Sequence, residues 1–300
     1  MEIPQYPDSR PLEMADKPLL DHLFSETEPR ISELTFAGLY LFRNAHQYRI
    51  SAIAGSLVLL GKGYDGNSYF LPPLSGDCSQ AVQTLFTDGL PLYGADEQWI
   101  SEYLPGIDVQ MADLRDSSDY VYLRDELATL PGSRFHKKKN RINYYSLRHE
   151  YSVALFSVIH LESCLDLVDT WFRSFQNDAA ESLFLEIEAT REALRSAPVL
   201  GLEGVVILVG EKVVAFALGE RLNRNTAVCH FEKADPFAEG LYQLVNREFA
   251  RLLFQDCTFI NREQDLGDMG LRNAKLSYHP VKLQKKYLVT KADHKDFVAL

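Results

Sequence analysis

Three consecutive apolar runs constrain the fold of this chain more than any other feature. Gly204–Val209 and Lys212–Glu220 are rich in Val, Ile, Leu, Ala and Phe and are parted only by Gly210–Glu211, the pattern of a tight antiparallel hairpin. Thr226–Lys233 is a third run of the same kind, and Ala238–Leu253 then repeats its apolar residues at helical spacing. A mixed sheet flanked by helices is the fold class that this order suggests. The flanks extend the pattern. Glu162–Phe175 and Ala180–Ser196 read as amphipathic helices, Thr258–Asn261 as a strand, Gly270–Ala274 as a short helix and Tyr278–Val289 as a last strand.

The first part repeats this order. Pro4–Pro11 is an extended lead-in, Asp16–Ser25 has helical spacing, and Ser32 is placed to cap a second helix through Phe42. Tyr48–Ile53, Ser56–Leu60 and Ser68–Leu71 read as strands, Cys78–Phe86 as a helix, Leu90–Tyr93 as a strand, Asp96–Tyr103 as a helix and Asp119–Leu123 as a strand. Both parts therefore run as two helices, three strands, helix, strand, helix, strand. The expected fold class is α/β (α+β), with two tandem domains that are each a mixed, largely antiparallel sheet flanked by helices. The expected division is residues 1–129, a basic connecting segment 130–149, and residues 150–300.

At 300 residues the chain is long enough for two cores, and 46% apolar with 24% charged residues describes a globular protein. No apolar run is long enough to span a bilayer. The first residues, MEIPQYPDSRPLEM, lack the basic and apolar regions of a signal peptide. Cys78, Cys164, Cys229 and Cys257 are scattered, without metal-ligand spacing, and Cys164, Cys229 and Cys257 fit small core residues of a reduced compartment. The expectation is a cytoplasmic protein without integral membrane association. His136, His149, His160 and His230 show no HxxxH or HxH spacing, so no metal is expected. Neither a GxSxG elbow nor a P-loop occurs.

Charge is unevenly placed within the net −11: residues 1–126 carry 20 acids against 8 bases, while the remainder is nearly balanced. Two stretches are free of acids. One lies between Glu126 and Glu150 and holds six Lys or Arg; the other lies between Asp268 and Asp293 and also holds six. An acidic chain that gathers cations in two places is arranged for an anionic ligand, although a charge run is more commonly a solvated face.

The segments FHKKKNRIN (Phe135–Asn143), EKADPFAEGLYQLVNREFA (Glu232–Ala250) and NREQDLGDMGLRNAKLSYHPVKLQKKY (Asn261–Tyr287) resemble the phosphatidylglycerol lysyltransferase C-terminal domain-like family. The resemblance covers most of the chain and implies a doubled GNAT-like fold. It also implies acyl or aminoacyl transfer, with aminoacyl-tRNA as the donor and an unknown acceptor. The membrane-bound relatives carry transmembrane helices that this sequence lacks, so a membrane-embedded acceptor is not implied. A coenzyme A-dependent relative would also show a glycine-rich loop entering its central helix, where backbone N–H groups hold the pyrophosphate. Here that loop is Asp235–Pro236–Phe237–Ala238–Glu239–Gly240, and its two carboxylates would repel a phosphate. Acyl-coenzyme A is therefore not expected as a cofactor.

Acyl transfer from an ester needs a proton acceptor for the attacking group and donors for the developing oxyanion. Glu232 and Glu263, each near a strand end, are candidates for the first role, and Lys275 and Tyr278 for the second. Each is also an ordinary ion-pair or core-edge residue in its own right. Lys137, Lys138, Lys139, Asn140, Arg141 and Asn143 are candidate binders of a tRNA backbone or a small phosphorylated ligand. Asn261, Asp265, Arg272 and Lys282 are candidate substrate contacts from the second acid-poor stretch. The basic segments 134–148 and 272–286 are expected to share one cleft. Asn246–Glu248, inside the long helix, is assigned to packing and solvation. Two other readings remain open: a non-catalytic GNAT-fold protein that binds an anionic ligand, and an acetyltransferase with an atypical phosphate loop.

Overall fold

The computed structural model describes residues 2–175 and 181–292. Along the chain the elements are β1 (Arg10–Pro11), α1 (Lys17–Thr27), α2 (Phe36–Leu41), β2 (Arg49–Ile53), β3 (Ser56–Lys62), β4 (Ser68–Phe70), α3 (Cys78–Thr87), β5 (Leu92–Ala95), α4 (Glu97–Tyr103) and β6 (Val109–Asp113). There follow β7 (Asp119–Leu123), α5 (Arg124–Thr129), α6 (His136–Ser146), β8 (Ser152–Leu155), α7 (Leu161–Phe175), α8 (Glu181–Leu200), β9 (Glu203–Val209), β10 (Lys212–Asn223) and β11 (Thr226–Ala234). The last are α9 (Leu241–Leu252), β12 (Phe259–Asn261), α10 (Met269–Leu276), β13 (Lys282–Gln284) and β14 (Tyr287–Lys291). Ala180, where the eighth helix was expected to begin, lies outside the described residues.

Two seven-stranded mixed sheets result. The first has the order β1-β2-β3-β4-β5-β14-β6, antiparallel throughout except for the parallel pair β4–β5. The second has the order β13-β7-β12-β11-β10-β9-β8, and its parallel pair is β11–β12. The two halves thus repeat one arrangement, an antiparallel meander followed by a parallel neighbour. The strand beyond each parallel pair is exchanged along the chain. β14, from the chain's far end, pairs with β5 and β6, whereas β7 pairs with β12. For this reason the compact units differ from the division expected at 129/130 and 149/150. One unit contains residues up to Asp119, 264–269 and from Leu283 onward; the other contains Tyr120–Glu263 and Gly270–Lys282.

In the first unit Leu85, Val82 and Phe86 of α3 pack with Val58, Phe70, Leu92 and Val289 from the sheet. Thr35 caps α2 by accepting from the Gly38 N–H at 3.0 Å. Ser32, expected as that cap, instead bonds Asp119 through its N–H and hydroxyl. Lys286 is fully buried in the same place, 2.6 Å from Asp119 and 2.7 Å from Glu33. Burial disfavours its charge, but Asp119 and Glu33 outweigh this and raise its pKa, while burial also pushes the Glu33 carboxyl up. This ion cluster pins the return of the C-terminal segment. β6 had no strand signal in the sequence, since its outward residues do not alternate cleanly. The strand expected over 278–289 is broken into β13 and β14, with Tyr278 in the turn after α10.

In the second unit, α9 buries Leu241, Leu244, Val245, Phe249 and Ala250 against the meander. Each Leu, Val or Phe stabilises the fold by about 1.5–3 kcal/mol when fully removed from water. Segment 130–149, expected as a connector, is part of this core: Phe135, Ile142 and Tyr145 of α6 and its entry are buried. The backbone of α6 approaches α9 so closely that a Cβ on Gly240 would lie 2.0 Å from the Arg141 carbonyl oxygen. Gly240 has φ +93°, which glycine adopts without strain. Leu147, just past the end of α6, is exposed.

Candidate functional site

The parallel pair β11–β12 is in register only from Thr226/Phe259 to Val228/Asn261. Beyond that point β11 continues through His230 and Glu232, while the other strand turns away through Arg262 and Glu263. The opening between them collects polar side chains that the core has to satisfy.

Arg262 stands at its centre. Its Nη2 donates to both Glu232 oxygens at 3.1 and 3.2 Å, and its guanidinium lies 5.1 Å from the centroid of the Tyr278 ring. Burial opposes its charge, yet Glu232 and the surrounding tyrosines hold its pKa above the ordinary value. Asn246, projecting from α9, donates from Nδ2 to the Glu232 carboxylate at 3.1 Å. Two buried atoms of this group have no hydrogen-bond partner among the described residues: Nη1 of Arg262 and Oδ1 of Asn246. Buried polar atoms are normally hydrogen-bonded, so a donor and an acceptor placed this way suit a water or a polar ligand group that reaches both.

Lys138, half-buried on α6, places its ammonium 3.9 Å over the Tyr278 ring and donates to Ser277 Oγ at 2.6 Å. Burial pushes its pKa down to about 8, and the charges of Arg262 and Arg141 push in the same direction. Tyr278 and Tyr122 are buried with their ring planes at 84°, and burial raises both phenol pKa values. Both rings therefore stay neutral and offer π faces to the cations.

Next to this group, His230 is held between two carboxylates, 2.9 Å from Glu220 and 2.7 Å from Glu263. Burial works against the imidazolium, but the two hydrogen-bonded carboxylates outweigh it and raise the pKa to about 10. Glu263 has φ +56°, a left-handed conformation held by its N–H donating to Asn261 Oδ1 at 2.8 Å. Asn261 is thus a buried backbone brace. Lys275 is buried on α10 and donates to the Arg262 carbonyl at 2.6 Å, while its own carbonyl accepts from the Tyr122 hydroxyl at 2.8 Å. It fixes the segment that carries Arg262.

The second unit therefore brings together Glu232, Glu263, Lys275, Tyr278, Asn261 and Lys138. It also joins the two acid-poor stretches locally, through Lys138 with Ser277 and Tyr278. Other expected residues lie elsewhere. Lys137, Asn140 and Asn143 are exposed on α6, Lys139 donates to the Gly132 carbonyl at 3.1 Å, and Arg141 lies 3.8 Å from Glu239. Arg272 is half-buried on α10 and Lys282 is exposed at the start of β13. Asp265 belongs to the first unit, where Arg115 donates to it at 3.2 Å. Among the described residues no cluster of His, Cys, Asp and Glu is arranged to hold a metal ion. No helix among them is long and apolar enough to cross a membrane.

Sequence reasoning missed Arg262, Asn246 and Tyr122 as members of the group. A signal for Asn246 existed: it is an amide among the apolar positions of α9, buried with Leu244 and Val245. Glu248 matches its assignment to packing and solvation, with its oxygens bonded by Arg247 and Arg251 at 2.9 and 2.7 Å.

The comparisons with known proteins agree with this architecture. A crystal structure of a conserved protein of unknown function from Bacteroides thetaiotaomicron is 30% identical, covers 94% of this chain and 98% of its own, and superposes with a TM-score of 0.86. L-PGS from Bacillus licheniformis superposes with a TM-score of 0.63 over 98% of this chain and 95% of that one, at 14% identity. FemX superposes with a TM-score of 0.57 over 94% of this chain and 96% of that one, at 8% identity. These last two likenesses concern the fold, which is the doubled GNAT-like arrangement of two mixed sheets. Residues 24–290 match the family model described as phosphatidylglycerol lysyltransferase, C-terminal. The chain belongs to the phosphatidylglycerol lysyltransferase C-terminal family.

Proposed function

We propose that this protein is an aminoacyltransferase that takes its acyl group from aminoacyl-tRNA at Arg262, Asn246 and Glu232. The observation that carries the reading is the unmatched pair: one buried donor, Arg262 Nη1, and one buried acceptor, Asn246 Oδ1, on either side of one carboxylate. An α-aminoacyl ester supplies both complements. Its carbonyl oxygen accepts from the guanidinium, and its α-ammonium donates to Oδ1 beside the negative charge of Glu232.

Chemically, the acceptor's amine or hydroxyl attacks the ester carbonyl, a new bond to the acyl carbon forms, and the bond to the tRNA 3′-terminal oxygen breaks. Negative charge grows on the carbonyl oxygen, where a positive guanidinium in a dry setting is most effective. The attacking group must lose a proton, which ends on the leaving oxygen. Lys138, its pKa lowered to about 8, is the residue suited to carry it. Tyr278 positions Lys138 and Arg262 through its ring. Lys275 and Asn261 are positioning residues, and His230 locks Glu263 in place. Exposed Lys137 and Arg141 on α6 suit the sugar–phosphate backbone.

The acetyl-coenzyme A reading is the weaker one. The N-terminus of α9, where a pyrophosphate would sit, is crossed by the Arg141 carbonyl of α6. Asp235 and Glu239 flank the same entry. At the corresponding helix α3, a Cβ on Gly76 would lie 2.3 Å from the Gly55 backbone, so that entry is crowded too. Incubation with labelled aminoacyl-tRNA and, separately, labelled acetyl-coenzyme A tests the assignment. The expected result is retention or turnover of the aminoacyl label alone, weakened at least tenfold in Arg262→Lys. Stoichiometric binding of acetyl-coenzyme A with no response to charged tRNA overturns it.

A further inference from the structure

One edge of the second unit's sheet is left open in a manner that independent folding rarely tolerates. Among the described residues β8 is the terminal strand, paired on one side only with β9. Its residues, Ser-Val-Ala-Leu, include no charge and no proline, the usual devices that keep a free edge from pairing. The strand and the turn after it expose apolar side chains: Leu155 is 58% exposed, Val158 73% and Ile159 81%. Single exposed apolar residues are ordinary, but three within five residues of an edge strand are of the kind that marks an interface. Beside them Phe156, Val158, Leu161, Leu194, Ala197 and Leu202 line a small pocket of about 100 Å³ that also includes Arg195.

The geometry points to a second copy of this chain as the partner, joined by antiparallel pairing of β8 with itself. The parity of the ladder limits how that pairing can run. The Phe156 N–H donates to the Gly204 carbonyl at 2.8 Å, so the even-numbered residues of this strand exchange bonds with β9. The N–H and C=O groups of the alternate residues, Tyr151, Val153 and Leu155, consequently point outward. A two-fold axis at Val153 uses all of them: Val153 pairs with Val153 of the second copy, and Leu155 with its Tyr151.

This register is self-complementary in its side chains. No two like charges meet, the exposed Leu155 is covered by an aromatic ring, and Glu150 of the second copy falls opposite Phe156, at the pocket that holds Arg195. An unrelated extended peptide would satisfy the backbone equally well. Only the same segment guarantees both the apolar match and the charge match, twice, about a closed axis. This interface is independent of the proposed transfer reaction.

The test uses the full chain. Light scattering over a concentration series should show the mass rising from 34.1 kDa to twice that value. Leu155→Lys, at an exposed position, should weaken the dimer at least tenfold while circular dichroism and thermal unfolding stay unchanged. As a second variant, Val153→Cys should be joined to its counterpart by a short bifunctional thiol reagent, because directly paired residues of this hydrogen-bonded type lie about 5.5 Å apart. The native cysteines are all buried and give little background. A chain that stays monomeric at every concentration and fails to cross-link through Val153→Cys overturns the proposal. So does a dimer that Leu155→Lys leaves intact, since its interface must then lie elsewhere.

Discussion

At the scale of single residues, the second unit holds two titratable groups displaced in opposite directions by identifiable neighbours. His230 stays an imidazolium because Glu220 and Glu263 both face it. Its folded pKa of about 10 lies above the ordinary 6.5, so its contribution to stability is complete below pH 6.5 and declines as the pH rises to 10. Its NMR resonances should show no titration between pH 6 and 8.5, and Glu220→Gln should bring the midpoint down. A midpoint near 6.5 in the unaltered protein would contradict this. Lys138 is the reverse case. Its folded pKa of about 8 lies below the ordinary 10.5, so over that interval the unfolded chain holds more protons and stability gains with rising pH. Labelling of Lys138 by an amine-directed reagent should follow a midpoint near pH 8, and charged tRNA should protect it. A midpoint above 10 would show that its amine is fully solvated.

Much of this was readable from residue types, and some was not. Glu232, Glu263, Lys275 and Tyr278 were chosen because strand ends and a basic turn carry them, and the fold does gather them. Arg262 lies in the same stretch, but nothing local in the sequence marks an Arg after a strand as buried. Only the divergence of β11 from β12 puts it inside. Asn246 was assigned to packing because helical spacing places it in an apolar stripe, and spacing cannot tell a satisfied amide from one with an open acceptor.

At the scale of elements, α6 was expected to be a basic connector and is instead a packed helix of the second unit. It carries five cations between positions 134 and 141, yet Phe135 and Ile142, which helical spacing makes available for packing, are buried together with Tyr145. Close contact with α9 depends on Gly240. Its φ of +93° and the 2.0 Å approach of the Arg141 carbonyl both exclude a side chain. Gly240→Ala should therefore cost at least about 2 kcal/mol in urea denaturation, combining a left-handed penalty with displacement of a backbone. A loss below about 0.5 kcal/mol would show that α6 can move away freely. Elsewhere the meander, α9 and α3 were legible because their apolar periodicity is long and regular. β6 and the break between β13 and β14 were not, because short strands are set by their sheet neighbours rather than by local pattern.

At the scale of the whole molecule, the repeated order of elements predicted two like sheets but not the exchange of their outer strands. Exchange is a long-range choice: β14 pairs with β5 nearly two hundred residues earlier, and no local signal records it. The first sheet is thus incomplete without β14. A chain ending before Tyr287 should lose hydrogen-exchange protection in β5 and β6 while β9, β10 and β11 remain protected. Equal protection in both sheets would refute the dependence.

The central claim is that the Arg262–Glu232–Asn246 group reads the aminoacyl end of a charged tRNA, and it is tested most directly by comparing affinities. Binding of aminoacylated and deacylated tRNA should be measured on the unaltered protein and on Arg262→Lys and Asn246→Leu. The account predicts a preference for the charged form of about tenfold or more, equivalent to about 1.4 kcal/mol, that both substitutions abolish while binding of deacylated tRNA is unchanged. Equal affinity for the two forms, or a preference that survives both substitutions, would contradict it.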